Sequence, residues 1–408
     1  MAGSAPRARW RDFLALLGAA LMPLPWIVAN QLEGLALSQE WVAALAGVAI
    51  LGGAFLLTWA TELAERDIPQ ALAILVLALV SVLPEYAIDL HFAWTAGKNL
   101  EYAQYAVANM TGANRLLIGI GWAVVVVIAC ARSGRRDLVI HPRQRLEIRF
   151  LLWATLYSFV IPLSGTIHLL DAAVLLVIFM LYAYSAAHGE SELVSLVGPA
   201  ALIDRTFKTR GRRSWVVALF AYAAYGIFTA AQPFADGLVE IGRASEVIDE
   251  FLLIQWIAPL ASESPEFLIA ILFAWRFRGS LGIGALISSK VNQWTLLVGA
   301  IPIAFSLSAG SWSGLPLDER QVAELLLTSA QSLMAAVFII DLRFSRVEAL
   351  SLAALFLGQF AFPSTEVRYL FTGLYLAITV ALLVSGGGVR RRMLISLIFS
   401  SPFPTRRC

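Results

Sequence analysis

Pro84-Glu85-Tyr86-Ala87-Ile88-Asp89-Leu90-His91-Phe92-Ala93-Trp94 recurs later in the same chain as Pro265-Glu266-Phe267-Leu268-Ile269-Ala270-Ile271-Leu272-Phe273-Ala274-Trp275. Six of the eleven positions are identical, and a seventh exchanges Tyr for Phe. A chance repeat in so apolar a chain would share Leu, Ala and Val. This one shares Pro, Glu, Phe and Trp, so it marks an internal duplication. Further on, Asn114 and Asn292 stand in corresponding places, each followed seven residues later by a glycine, Gly121 or Gly299.

The background of the repeat decides what it is a repeat of. Of 408 residues, 59% are hydrophobic and 14% charged, and the mean hydropathy is +0.76. Soluble domains carry about 25% charged and about 45–50% apolar residues. The composition excludes a soluble enzyme, a disordered chain and a nucleic-acid binder. Two cysteines, Cys130 and Cys408, make no disulfide framework. Apolar stretches of about 20 residues, parted by short charged segments, predict membrane-spanning helices.

Twelve spans are predicted: 12–30, 41–63, 69–96, 102–130, 146–163, 167–187, 214–233, 250–275, 280–308, 320–340, 347–363 and 367–385. The basic N-terminus before Phe13 resembles a signal peptide, but its apolar run continues through Pro23 and Pro25 without a cleavage site. It is read as the first helix. With the N-terminus cytoplasmic, 24 of the 30 cations fall in cytoplasmic segments and four outside: Lys98, Arg243, Arg320 and Arg368. That bias predicts both termini inside; the expected location is the cytoplasmic (inner) membrane of a bacterium.

In this topology the two copies run in opposite directions. The expected fold is an all-α polytopic membrane protein of two inverted five-helix repeats, with one extra helix at each end. Residues 1–40 hold the first extra helix, 41–187 the first repeat, 188–213 a basic linker, 214–363 the second repeat, and 364–408 the last helix and tail. Inverted repeats with a site at the midplane are the build of secondary transporters.

Four polar positions fall near the middle of their spans: Glu85, Asn114, Glu266 and Asn292. A carboxylate at the bilayer centre is costly unless paired or hydrated, which makes it a functional candidate. The Pro before each Glu lacks an amide hydrogen and frees a carbonyl in the preceding turn. Oxygen-rich clusters of this kind suit hard cations such as Ca²⁺ and Na⁺. Ser81 and Ser262 lie four residues before their Glu and add hydroxyls on the same helix face. A single Pro-Glu reads equally well as a kink; two matched copies with matched Asn residues favour a site.

These residues resemble the α-repeats of the sodium/calcium exchanger (cation/calcium exchanger) superfamily. Its first motif, roughly Gly-Thr-Ser-Leu-Pro-Glu, stands here as Val80-Ser81-Val82-Leu83-Pro84-Glu85 and Ala261-Ser262-Glu263-Ser264-Pro265-Glu266. Its second, roughly Gly-Asn-x-x-Gly-Ser-Asn-x-x-Asn, stands as Ala108-Asn109-Met110-Thr111-Gly112-Ala113-Asn114-Arg115-Leu116-Leu117. The second copy, Leu286-Ile287-Ser288-Ser289-Lys290-Val291-Asn292-Gln293-Trp294-Thr295, keeps only Asn292. The resemblance implies alternating access, in which a small group of helices moves across a fixed core. It implies Glu85 and Glu266 as the central cation ligands, supported by Ser81, Ser262, Asn114 and Asn292.

The chain also departs from that pattern. Val82 and Glu263 stand where the motif has a Ser ligand, Lys290 replaces a Gly, and Arg115 enters beside Asn114. Lys290 either snorkels to the interface or pairs with Glu263 as a built-in replacement for one bound cation. With that pair, Glu85, Glu263, Glu266 and Lys290 leave two negative charges, and Asp89 and Arg115 cancel. The expected activity is antiport of Ca²⁺ or a related cation against Na⁺ or H⁺, or exchange of monovalent cations on the same fold. The expected partners are those small cations and the lipid bilayer, with no resident cofactor. Membrane-embedded enzymes carry other signatures, such as Gly-x-Ser-x-Gly with His, and a non-transporting scaffold needs no duplicated midplane charges.

Overall fold

The computed structural model describes residues 6–32, 37–67, 82–188, 196–245, 249–362, 364–385 and 388–399. Ten helical segments among them are long and apolar enough to cross a membrane: Trp10–Gln31, Gln39–Ala64, Leu100–Ser133, Pro142–Ser164, Leu169–Ala187, Thr209–Ala244, Glu250–Trp275, Gly279–Ala309, Glu319–Ile339 and Thr365–Ser385. Two of the twelve predicted spans are not among these ten. Most of the first half of 69–96 lies outside the described residues, which resume before the helix Leu83–Ala96. The span 347–363 is the 16-residue helix Arg346–Ala361. At 1.5 Å per residue it reaches only ~24 Å, short of the ~30 Å hydrocarbon core.

By contact density the chain forms two compact units, Met1–His91 with Ala187–Pro265, and Phe92–Ala186 with Glu266–Cys408. The divisions fall inside Leu83–Ala96 and Glu250–Trp275, the two helices that carry Pro-Glu.

In the first unit, Gln39–Ala64 lies along the 36-residue helix Thr209–Ala244. Glycine allows the close approach. A Cβ at Gly53 would come within 2.8 Å of Ile227 Cγ1, and one at Gly47 within 2.8 Å of the Phe234 ring. Small residues serve this purpose between membrane helices, where lipid tails leave no hydrophobic drive for association. One end of the pair is tied by charge. Arg212 donates to both oxygens of Asp67, at 2.9 and 2.8 Å, and to Asp204 at 3.0 Å. Asp204 lies on the short helix Gly198–Thr206. The Arg212 guanidinium holds the Asp67 carboxyl below the usual carboxylate range.

The second unit shows the duplication in its backbone. Ala103–Leu116 passes through a π-helical turn, Leu117–Trp122, into Ala123–Ser133. Gly279–Asn292 does the same through Gln293–Leu297 into Val298–Ala309. Each composite helix ends on a left-handed glycine, Gly134 at φ 70° and Gly310 at φ 63°, the conformation that closes a helix without a Cβ penalty.

Four short strands follow: β1 (Asp137–Val139), β2 (Thr166–Ile167), β3 (Leu315–Pro316) and β4 (Arg343–Ser345). β1 and β3 come directly after the two composite helices; β2 and β4 come one helix later. The pairing is exchanged: β1 with β4 through Leu138↔Phe344, and β2 with β3 through Ile167↔Leu315. Each repeat therefore donates its first connector to the other's second. Exchanged ladders of this kind are what a two-fold relation between two halves produces, and inverted repeats have one.

Candidate functional site

Within the second unit, the Asn-motif helices bring two of the sequence candidates together. Lys290 lies on Gly279–Asn292, Asn114 on Ala103–Leu116, and both are fully buried. Lys290 Nζ donates to Asn114 Oδ1 at 2.6 Å and lies 3.5 Å from the Asn114 main-chain oxygen. It also sits over the Trp294 ring, 4.3 Å from the centroid, a placement in which the ring quadrupole attracts a cation. The snorkelling reading is excluded by this burial. Asn114 Nδ2 donates to the Met110 carbonyl at 2.8 Å, one turn back on the same helix, so both arms of the amide are engaged.

Glu266 is held from the neighbouring motif. Ser289 Oγ donates to Glu266 Oε2 at 2.7 Å. Sequence reasoning did not single out Ser289. The signal was present, since Ser289 and Thr111 occupy the same position in the two copies. Thr111 itself turns back onto the Val107 carbonyl at 2.7 Å. Asn292 is buried at the end of Gly279–Asn292, directly before the π-turn. Turns of that class open the regular ladder and recur at functional sites.

Arg115 has an acidic and an amide partner within the second unit. It pairs with Glu324 on Glu319–Ile339 and donates to Gln359 Oε1 at 2.8 Å. Glu324 pairs in turn with Arg368, and Gln331 Nε2 donates to the Arg115 carbonyl at 3.2 Å. Arg115, Glu324 and Arg368 are 1%, 0% and 3% exposed. The sequence counted Arg368 with the outer side, at the start of the span 367–385. It lies in the first turn of Thr365–Ser385 and turns inward onto Glu324. Sequence reasoning missed Glu324, an acid five residues into the helix it begins near.

In the first unit, Glu85 and Asp89 lie one turn apart on Leu83–Ala96 and are buried. His91 Nε2 is 3.0 Å from Asp236 Oδ1 on Thr209–Ala244. Ser262 and Glu263 are buried on Glu250–Trp275, which runs through both Pro259 and Pro265. Ser262 Oγ lies 3.3 Å from the Ala258 carbonyl. Ser81 lies outside the described residues.

The profile described as sodium/calcium exchanger protein matches residues 40–187 and 215–365, one block on each copy of the motifs. The crystal structure of the H⁺/Ca²⁺ exchanger CAX is 44% identical to this chain, covering 95% of it and 96% of that protein, with a TM-score of 0.89. The structure of native YfkE is 15% identical over 90% of this chain and 99% of its own, with a TM-score of 0.58. The sodium-calcium exchanger NCX_Mj is 16% identical over 79% of this chain and 98% of its own, with a TM-score of 0.54. The last two share the fold. No curated protein sequence matches the chain.

Proposed function

The chain belongs to the sodium/calcium exchanger family, an integral multi-pass cation antiporter, and from that premise we propose that it exchanges Ca²⁺ for H⁺. The observation that carries this reading is the 44% identity to the H⁺/Ca²⁺ exchanger over nearly the whole of both chains. The chemistry of the buried groups is compatible with it. We assign Glu85 and Glu266 as the anionic oxygens that bind Ca²⁺, because each sits in the family motif and is otherwise costly at its depth. A protonated carboxyl loses its anionic charge, so protons and Ca²⁺ compete for the same groups, and that competition couples the two fluxes. Ser289 orients the Glu266 carboxylate, while Ser262 and Asn292 supply neutral oxygens suited to a hard cation. Glu263 and Asp89 add negative charge in the same helices.

A second reading, exchange of a monovalent cation against H⁺ on the same fold, follows if the Lys290 ammonium lowers the negative charge below what a divalent ion needs; the inference drawn below from Lys290 rests on the Ca²⁺ reading and not on this one. The charge bias along the sequence supports an orientation with both termini cytoplasmic. Reconstitution in liposomes distinguishes the two cargoes. An imposed pH gradient should drive ⁴⁵Ca²⁺ uptake, and dissipating the gradient should stop it. Uptake of ²²Na⁺ in place of ⁴⁵Ca²⁺ supports the monovalent reading.

A further inference from the structure

We propose that the Lys290 ammonium is a resident cation that occupies the coordination place at Asn114, and that it makes this exchanger insensitive to Na⁺. The inference rests on the cation-exchange reading above and names the residue that sets the choice of counter-ion.

The internal repeat supplies the first argument. Aligning the copies sets Thr111 with Ser289, Gly112 with Lys290 and Asn114 with Asn292. Where the first copy has no side chain at all, the second carries a long flexible side chain that ends in an ammonium. Both helices pass into a π-helical turn within a few residues of the aligned Asn.

The contacts supply the second. A small monovalent cation needs carbonyl-type oxygens, and Asn114 presents its side-chain oxygen to Lys290 at 2.6 Å and its main-chain oxygen at 3.5 Å. The opposite arm of the amide is fixed on the Met110 carbonyl, so the oxygen points at the ammonium by construction. Trp294 places its π-face against the same charge. Oxygen donors and an aromatic face are what a desolvated alkali cation would seek. The ammonium fills them and does not leave with the cargo.

A Na⁺ ion entering at Asn114 would meet a like charge at hydrogen-bond distance in a medium of low dielectric. Sodium therefore has no place to load there. A proton is not excluded in this way, because it binds on a carboxylate and needs no coordination shell. The result is an exchanger that runs on pH gradients alone.

The test compares wild type with Lys290→Gly (the residue of the matched position), Lys290→Met (similar length, no charge) and Lys290→Arg (charge kept). Two readouts are taken: ⁴⁵Ca²⁺ flux in proteoliposomes under a Na⁺ gradient at equal pH, and the shift of melting temperature in detergent on replacing choline by Na⁺. Wild type and Lys290→Arg should respond to Na⁺ in neither. Lys290→Gly and Lys290→Met should gain a Na⁺-dependent rise in melting temperature and, where they transport, Na⁺-driven flux at least tenfold above wild type. The proposal is overturned if wild type already responds to Na⁺, or if both neutral variants show no Na⁺-dependent melting shift. A wild type that moves no Ca²⁺ on a pH gradient defeats the proposed cargo, while the melting readout still decides the role of Lys290.

Discussion

Ser289 gives its hydroxyl hydrogen to the Glu266 carboxylate at 2.7 Å, whereas Thr111, the matched residue of the other copy, spends its hydroxyl on the Val107 carbonyl of its own helix. In the second copy the hydroxyl holds the carboxylate that we assign to Ca²⁺.

Ser289→Ala should weaken Ca²⁺ binding without unfolding the protein. A hydrogen bond to a charged group contributes about 1.5–3 kcal/mol, and about 1.4 kcal/mol corresponds to a tenfold change in affinity. The half-saturating Ca²⁺ concentration for flux should rise about tenfold or more, and Ser289→Thr should restore much of it. An unchanged Ca²⁺ dependence in Ser289→Ala would show that the hydroxyl does not position Glu266.

The buried triad is asymmetric, with Glu324 between Arg115 and Arg368. Removing the shared anion strands two guanidiniums, while removing one arginine leaves a neutral pair. Glu324→Gln should therefore cost about 3–5 kcal/mol of stability, and Arg368→Met much less. Thermal melting in detergent gives the ranking; equal losses would contradict it.

The helix pair of the first unit should be sensitive to volume at one glycine. Gly53→Leu forces new atoms against Ile227, and overpacking of this kind costs about 1–3 kcal/mol. Ile227→Ala added to Gly53→Leu should recover part of the loss. A fully additive double variant would mean that the two residues are not the point of strain.

Asp67 makes a pH prediction outside the membrane. Its carboxyl is held low chiefly by the hydrogen bonds from Arg212. A carboxylate with a depressed folded value contributes stability that is fully present above its unfolded value of about 3.9 and is lost as pH falls through the folded value. Asp67→Asn should flatten this acid limb of the melting-temperature profile and leave the profile near neutral pH parallel to wild type. An unchanged acid limb would place the dependence elsewhere.

The Pro-Glu and Asn positions were legible because polar residues stand out in an apolar chain, and their recurrence indicated two halves. Lys290 was legible as deep, but its partner Asn114 lies 176 residues away, and helix neighbours are not written in local periodicity. Glu324 escaped notice for a related reason. It lies near the end of its predicted span, and one of its partners, Arg368, was counted with an external loop. The exchanged strand pairs were invisible because two or three residues carry no alternation to detect.

The central claim is that Glu85 and Glu266 bind the transported Ca²⁺, and the most direct measurement is pH-gradient-driven ⁴⁵Ca²⁺ uptake by wild type, Glu85→Gln and Glu266→Gln in proteoliposomes. Amide replacement keeps size and removes the anionic oxygen, so each variant should insert and melt as a folded protein. Wild type should accumulate Ca²⁺ while the gradient lasts, and both variants should fall to the level of empty liposomes. Near-normal uptake by either folded variant would contradict the account.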